Sequence, residues 1–402
     1  MNVRYPIAAA AVLAAAAATV ATQGSQNPLP VNWPGKLPAP DTANSARNNP
    51  TVLPAKPEGA ALKVPDGFVV EEYLSGFARP RFMLNVGGNA FLLSDSAAQG
   101  KGAVYVVRNG AKTAIIEGLD RPYGLAVHEK WLYVAQPTSV KRYPFDAKAL
   151  TVSGEGQEVV SMANFGRGHN TRTILFDRAG KKFYLTIGSD SNFGLGEDPM
   201  RAALHRFNPD GTGHETVATG LRNIIGLRFF PGTDDLWGAV QERDGLGDDL
   251  VDDYLVKIKE GGFYGWPIAY TGPHREPRHE KVDEEMVKKT LYPDVLLGAH
   301  VAVLDVLFYT GNQFPAKYRN GLFTAFHGSW NRSKRVGYNI SFVPFKDRRP
   351  VSGPEPFLTG WMLDPDKKEV WGRPVGLLQM ADGSLLVTDD GAGKIWRISY
   401  KR

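Results

Sequence analysis

One pattern recurs six times between residues 79 and 398. A turn carrying Pro, Gly or a cation leads into a short apolar strand. A polar turn, such as Gly88-Asn89 or Asp382-Gly383, leads into a second, and a third strand ends near Arg or Tyr. The units are 79–84, 89–95 and 102–107; 121–127, 131–135 and 140–143; 171–176, 182–188 and 203–207; 226–230, 235–240 and 254–258; 303–308, 321–326 and 337–342; and 373–378, 384–389 and 394–398. Each is an antiparallel meander that buries its faces only by stacking on neighbours, and radial closure removes the exposed edges. The expectation is an all-β chain folded as a six-bladed β-propeller. Six equivalent units fit a flat sandwich poorly. Phe68-Val69-Val70-Glu71-Glu72-Tyr73, ahead of the first unit, is expected to give the last blade its outer strand and latch the ring.

A chain of 402 residues, 43% hydrophobic, buries a large core without cross-links. Its 44 Gly and 28 Pro, with few helix signals, agree with short strands joined by turns. Cysteine is absent, which removes both disulfides and a lipid-bearing Cys. The net charge of +5 is not gathered into Lys/Arg runs, which counts against nucleic-acid binding. There is no Gly-x-Gly-x-x-Gly after a strand, no Walker loop and no Gly-x-Ser-x-Gly elbow. Nicotinamide, nucleotide and serine-hydrolase chemistry therefore find no support.

Residues 1–21 read as a secretory signal peptide. They have a positive start at Arg4, an Ala-rich run too short and weakly apolar to span a bilayer comfortably, and Thr19-Val20-Ala21 as a cleavage site. This implies a periplasmic or secreted protein. Residues 22–62, rich in Pro, Asn, Ala and Ser without periodicity, read as a flexible or surface-hugging leader. The propeller domain is then 63–402. Within it, 268–300 break the repeat and suggest a loop plus a short helix, inserted between the fourth and fifth blades and riding on the binding face.

In such a ring, loops at one end of the central channel gather residues that are distant in sequence. Candidates should recur at the same place in each unit. His169 lies just before the third inner strand, where an imidazole titrating near neutral pH suits proton abstraction; a lone His taken by itself is more often a surface or structural residue. Arg222-Asn223 precede the fourth, offering a bidentate cation and a donor–acceptor amide. Arg373, two residues after Trp371, precedes the sixth. Residues 327–335 close the inner part of the fifth blade with Arg332 and Lys334. Glu242-Arg243-Asp244-Gly245-Leu246-Gly247-Asp248-Asp249 is an acidic glycine loop, able to expose carbonyls of the kind Ca²⁺ takes but lacking EF-hand spacing. Ser189-Asp190-Ser191-Asn192 adds polar groups, and the remaining histidines have no setting comparable to His169.

Together with Tyr264-Gly265-Trp266-Pro267, these motifs resemble the soluble quinoprotein sugar dehydrogenases (the glucose/sorbosone dehydrogenase family) from about residue 65 to 397. The resemblance implies pyrroloquinoline quinone (PQQ) and Ca²⁺ as cofactors and His169 as catalytic base. It implies Arg222, Asn223, Arg373 and Arg332 (or Lys334) as cofactor contacts. Trp371 stands where the family has a second Arg, and is taken as a face for the cofactor to stack on. The backbone carbonyls of Asp244 and Gly245, where the family more often has Gly-Pro, are implied as metal donors. The reaction implied is oxidation of a small sugar at a hemiacetal or hydrated aldehyde by hydride transfer to the quinone, with electrons leaving to an external quinone, cytochrome or dye. His327-Gly328-Ser329-Trp330-Asn331-Arg332 point to the sorbosone-type branch. Two alternatives come from other classes. A calcium-dependent lactonase or hydrolase needs metal-ligating side chains at the channel, and a non-enzymatic binding propeller does not need His169 with Arg222.

Overall fold

A computed structural model describes residues 28–43 and 49–401 of the chain. The expected signal segment, 1–21, lies outside the described residues. Each sequence unit is an antiparallel sheet of four principal strands. Blade one is Pro80–Gly87, Ala90–Asp95, Gly102–Arg108 and Ala111–Leu119, and blade two is Leu125–His128, Trp131–Gln136, Ser139–Asp146 and Gln157–Ser161. Blade three is Ile174–Phe176, Phe183–Ile187, Ala203–Phe207 and Glu215–Thr219; blade four is Asn223–Phe229, Leu236–Gln241, Asp252–Lys257 and Val295–Ala299. Blade five is Val303–Phe308, Leu322–Phe326, Asn339–Val343 and Glu355–Leu358. Blade six takes Pro374–Gln379, Leu385–Asp389 and Lys394–Tyr400 from the end of the chain and Phe68–Ser75 from near its start.

The second strands explain why the sequence reads as apolar runs rather than alternation. Ala90–Asp95 and Leu385–Asp389 are buried along their whole length, because each blade is covered on both faces by its neighbours. Leu92 and Val104 of blade one pack with Leu132 and Val134 of blade two, and the same layering is repeated around the ring. Inner strands contact those of the next blade, except that the inner strand of blade four meets the second and third strands of blade three, and the inner strand of blade six contacts that of blade one, so the sheet array is closed.

Closure depends on Phe68–Ser75, which runs antiparallel to Lys394–Tyr400 with Phe68 opposite Tyr400. The Phe68 ring meets Phe314, Tyr318, Phe357 and Tyr400 edge-on, tying the early strand to blades five and six.

The position of the insertion differs from the expectation. Val295–Ala299 pairs with Asp252–Lys257 as the outer strand of blade four, so the excursion lies inside that blade and not between blades four and five. The long separation of the two partners hid the short strand Val-Leu-Leu-Gly-Ala from a reading based on repeat spacing. The excursion holds a small hairpin, Ala269–Tyr270 with His274–Arg275, and the helix Glu284–Lys288. The Asp283 side chain caps that helix by accepting from the Glu285 and Met286 N–H groups.

The described leader lies on the rim. The Val31 N–H donates to Asp294 O at 2.9 Å, and the Asn32 amide pairs with both backbone groups of Leu296 at 2.8 and 3.0 Å. Further along, Asp41 N donates to Leu246 O at 3.0 Å and Lys63 bridges Thr359. Among the described residues no helix is long and apolar enough to cross a membrane.

Candidate active site

In an antiparallel hairpin the start of the first strand and the end of the second share one edge. Loops before the inner strands and after the second strands therefore meet at one end of the channel. Between blades three and four they enclose a cavity of about 400 Å³, within the usual range of small-molecule sites. His169 and Arg222 come from loops before inner strands; Asp190, Asn192, Glu242 and Asp244 come from loops after second strands. Asp253, His300 and Trp330 complete its wall.

His169 Nδ1 lies 2.8 Å from the Ser189 carbonyl oxygen and 3.0 Å from the Ser189 hydroxyl. A carbonyl only accepts, so Nδ1 carries the proton and Nε2 carries the lone pair. Burial lowers the imidazole pKa to about 3, helped by the positive charge of Arg222. The ring is therefore neutral at physiological pH, with a basic nitrogen left to the cavity.

Arg222 is buried and anchored on the neighbouring loops. Its Nη1 donates to Glu242 O at 2.6 Å, its Nε to Asn192 O at 3.0 Å and its Nη2 to Asn192 Oδ1 at 2.8 Å. Burial pushes its pKa down, while Asp244, 3.5 Å away, and Glu242 support the charge. Asn223 sits just beneath, donating to Gln241 Oε1 at 2.9 Å, with its own Oδ1 buried and unpartnered. Gly188 makes this packing possible. A Cβ there would stand 2.4 Å from Asn223 Oδ1 and 2.7 Å from His169 Cβ.

The other sequence candidates lie elsewhere. Arg373 is half-buried against blade five, with Nε 3.3 Å from His327 O and its guanidinium 6.0 Å from the Tyr338 ring centre. Trp371 is buried among Trp361 and Trp396, its Nε1 donating to Gly360 O at 2.7 Å, and so offers no face to the cavity. Arg332 turns to the acidic loop, donating to Asp248 O and, at 2.9 Å, to Asp249 Oδ1. Lys334 pairs with Asp366 at 3.3 Å on the surface.

Asp244 lines the cavity with its carboxylate, but its carbonyl and that of Gly245 are already engaged. The Asp244 carbonyl accepts from Asn192 Nδ2 at 2.8 Å and from Arg278 Nη1 at 2.9 Å; Gly245 O accepts from the same Nη1 at 3.4 Å. As they stand these two oxygens do not fit a metal ion. Among the described residues no three His, Asp or Glu side chains form a group that could hold one.

An anionic, carbonyl-bearing cofactor fits better. Beside the main cavity, Arg79, Arg81 and Arg121 line a smaller one of about 180 Å³ together with Asn170 and Thr171, which directly follow His169. Arg81 and Arg79 share Asp390 at 2.6 and 3.5 Å, leaving the group with excess positive charge. Crowding by Arg81, then burial, lowers the Arg79 pKa. A trianion would find the charge it needs here and at Arg222.

Sequence reasoning missed several of these groups. The Arg-Pro pairs at 79–80 and 121–122 stand at the same repeat position as Arg373-Pro374, with Arg81 two residues further on, so alignment of the units could have raised them. His300, whose sequence setting does not resemble that of His169, nonetheless lines the cavity, bonded through Nδ1 to Asp244 Oδ1 at 3.2 Å and through Nε2 to Gly247 O at 2.9 Å. Burial lowers its pKa, but Asp244 and the Gly247 carbonyl outweigh burial and leave it raised. Nothing local in sequence marks Asp253, whose carboxyl burial pushes up in pKa beside this pair.

The chain is thus a closed six-bladed propeller with a neutral imidazole and a guanidinium on one cavity at the channel mouth. The chain belongs to the TrAA12-like family, whose profile matches residues 62–254 and 271–401. The unmatched stretch falls where blade four begins its excursion. The chain is similar to an uncharacterized protein of Borreliella burgdorferi, 31% identical over 358 residues that cover 85% of this chain and 92% of the other. It is also similar to a pyrroloquinoline quinone-dependent pyranose dehydrogenase of Coprinopsis cinerea, 24% identical over 409 residues, covering 84% of this chain and 54% of that one. The chain thus spans about half the length of that relative. Among solved structures, the calcium form of a Trichoderma reesei family AA12 carbohydrate-active enzyme superposes with TM-score 0.72 at 20% identity, over 88% of this chain and 99% of the other. The holo PQQ domain of the Coprinopsis cinerea pyranose dehydrogenase gives 0.68 at 21% identity, over 86% and 98%. At such identities the structural likeness concerns the fold.

Proposed function

We propose that the chain is a quinoprotein oxidoreductase. It oxidises a small sugar at a hemiacetal or hydrated-aldehyde carbon, of aldose or sorbosone type, with PQQ and Ca²⁺ as cofactors and an external electron acceptor. The observation that carries this reading is the fixed tautomer of His169, a neutral base, on the same cavity as buried Arg222. The pyranose dehydrogenase relative and its PQQ domain support the choice of cofactor and substrate class.

PQQ, when bound, supplies a two-electron acceptor for hydride. The protein's part follows from its own groups. Ser189 holds the His169 ring so that Nε2 takes the proton of the reacting hydroxyl. Arg222, pinned to Asn192 and Glu242, presents fixed positive charge, and Arg79, Arg81 and Arg121 add more at the channel mouth. Asn223 belongs to the proposed cofactor surroundings, while Arg373, bonded to the His327 carbonyl, and Arg332, bonded to the acidic loop, stand outside the cavity and are proposed to add charge from a distance. With residues 1–21 read as a signal, the enzyme works in the periplasm or outside the cell.

The test is titration of purified apoprotein with PQQ, with and without Ca²⁺, followed by tryptophan quenching and dye-linked oxidation of aldoses, polyols and sorbosone. Quenching with dye reduction by at least one sugar is expected. Absence of PQQ uptake under both conditions would sink the proposal.

A further inference from the structure

The excursion of blade four delivers one residue onto the acidic glycine loop. Arg278 Nη1 rests on the Asp244 carbonyl at 2.9 Å and the Gly245 carbonyl at 3.4 Å. The guanidinium is seated on its other sides too. Glu276 takes Nε at 2.6 Å and Nη2 at 2.9 Å in a two-point grip, and also accepts the Arg278 backbone N–H at 3.1 Å. The Glu276 carboxylate is itself buried and braced by Arg243 at 3.2 Å. The guanidinium lies 3.7 Å from the centre of the Phe193 ring.

A hard divalent cation and a guanidinium seek the same lone pairs and repel one another, so they cannot share this oxygen pair. We propose that Arg278 is a built-in competitor for the metal. It organises the Asp244–Gly245 turn in the metal-free protein, and Ca²⁺ reaches these carbonyls only by displacing it. This rests on reading the turn as the metal loop of the proposed quinoprotein, although its binding test needs no quinone. A substitution that evicts the guanidinium then frees the Gly245 carbonyl and one lone pair of the Asp244 carbonyl, whose other lone pair stays with Asn192 Nδ2 at 2.8 Å, for Ca²⁺.

The experiment titrates EDTA-stripped protein with Ca²⁺ by calorimetry and with Tb³⁺ by luminescence sensitised through Trp266, whose Nε1 bonds to Asn192 O at 3.0 Å beside the loop. Wild type, Arg278→Gln and Arg278→Lys are compared. Phe193→Ala is added because it loosens the seat without leaving Glu276 short of a partner. Arg278→Gln and Phe193→Ala are expected to bind Ca²⁺ at least tenfold more tightly than wild type, and Arg278→Lys to stay near wild type. Equal affinity in all four proteins, or weaker binding in Arg278→Gln and Phe193→Ala, would overturn the proposal. PQQ titration of the same samples is read separately. Failure there strikes the cofactor reading and leaves the metal result standing.

Discussion

His169 Nδ1 and the Ser189 carbonyl oxygen, 2.8 Å apart, fix which nitrogen of the ring is basic. The loop after one strand thereby sets the chemistry of the loop before another. Ser189 is itself held, its hydroxyl donating to Ser191 O at 2.6 Å and its N–H to Arg222 O at 2.7 Å. The base, its orienting serine and the guanidinium are one connected unit.

Replacing His169 removes the proton acceptor and leaves the cationic surroundings in place. His169→Ala is expected to keep PQQ quenching within about threefold while turnover falls by about 10²- to 10⁴-fold, the usual contribution of a positioned base. Steady-state rates with the best sugar from the screen measure it. Turnover equal to wild type would remove His169 from this role.

The acid response of His169 has a defined sign. With its pKa lowered to about 3, the ring takes up no proton between pH 8 and 5, where an ordinary imidazole would. Its Cε1–H resonance should stay flat over that range. Arg222→Gln removes the second cause of the shift and leaves burial, so the pKa rises but stays below the ordinary value. The acid limb of kcat/KM should move to higher pH by the same amount. A wild-type resonance titrating near 6.5 would refute the buried-neutral assignment.

Gly188 is a packing requirement of the site rather than a flexible joint. Its added methyl in Gly188→Ala would overlap both Asn223 Oδ1 and His169 Cβ, so one of them must move. The expected result is a loss of about 1–3 kcal/mol in stability, the ordinary cost of overpacking, together with a drop in kcat. Urea unfolding and single-turnover rates measure the two effects. Wild-type kcat in a folded Gly188→Ala protein would show that the packing of His169 and Asn223 against Gly188 does not position the base.

The ring was legible in the sequence because each blade repeats the same short-range turn chemistry and apolar runs. The pairing of Phe68–Ser75 with the C-terminal strand followed from the need to finish the sixth unit. The same reasoning reached His169 and Arg222, which stand at equivalent repeat positions. It missed Val295–Ala299, since that strand's partner precedes it by a long excursion, and it could not see that Arg278 reaches back over the same excursion to Asp244. Trp371 shows the limit in the other direction. The resemblance, which has a second Arg at this position, put it at the cofactor, but its indole turns into the core between blades five and six, where Trp361 and Trp396 already form an aromatic layer around Asp389. Repeat position fixes the backbone, and the side chain then follows local packing.

Phe68 closes the propeller, and its removal should be felt by the whole ring. The side chain is 9% exposed and touches four aromatic rings drawn from blades five and six and the segments beside them. Truncation to Ala deletes the aromatic anchor of a strand that is also tied by backbone hydrogen bonds to Lys394–Tyr400, by the Glu72–Lys394 ion pair at 2.6 Å and by the packing of Val70, Tyr73 and Leu74. The expected cost is about 3–5 kcal/mol, a large share of a typical stability of about 5–15 kcal/mol. Glu71→Ala on the same strand provides the control, since Glu71 is exposed and its ion pair with Arg397 spans 3.9 Å, so a change within about 0.5 kcal/mol is expected. Urea midpoints for both variants decide the matter. If Phe68→Ala unfolds at the same midpoint as Glu71→Ala, the ring is held shut by the strand's other ties, and the aromatic cluster is not the latch.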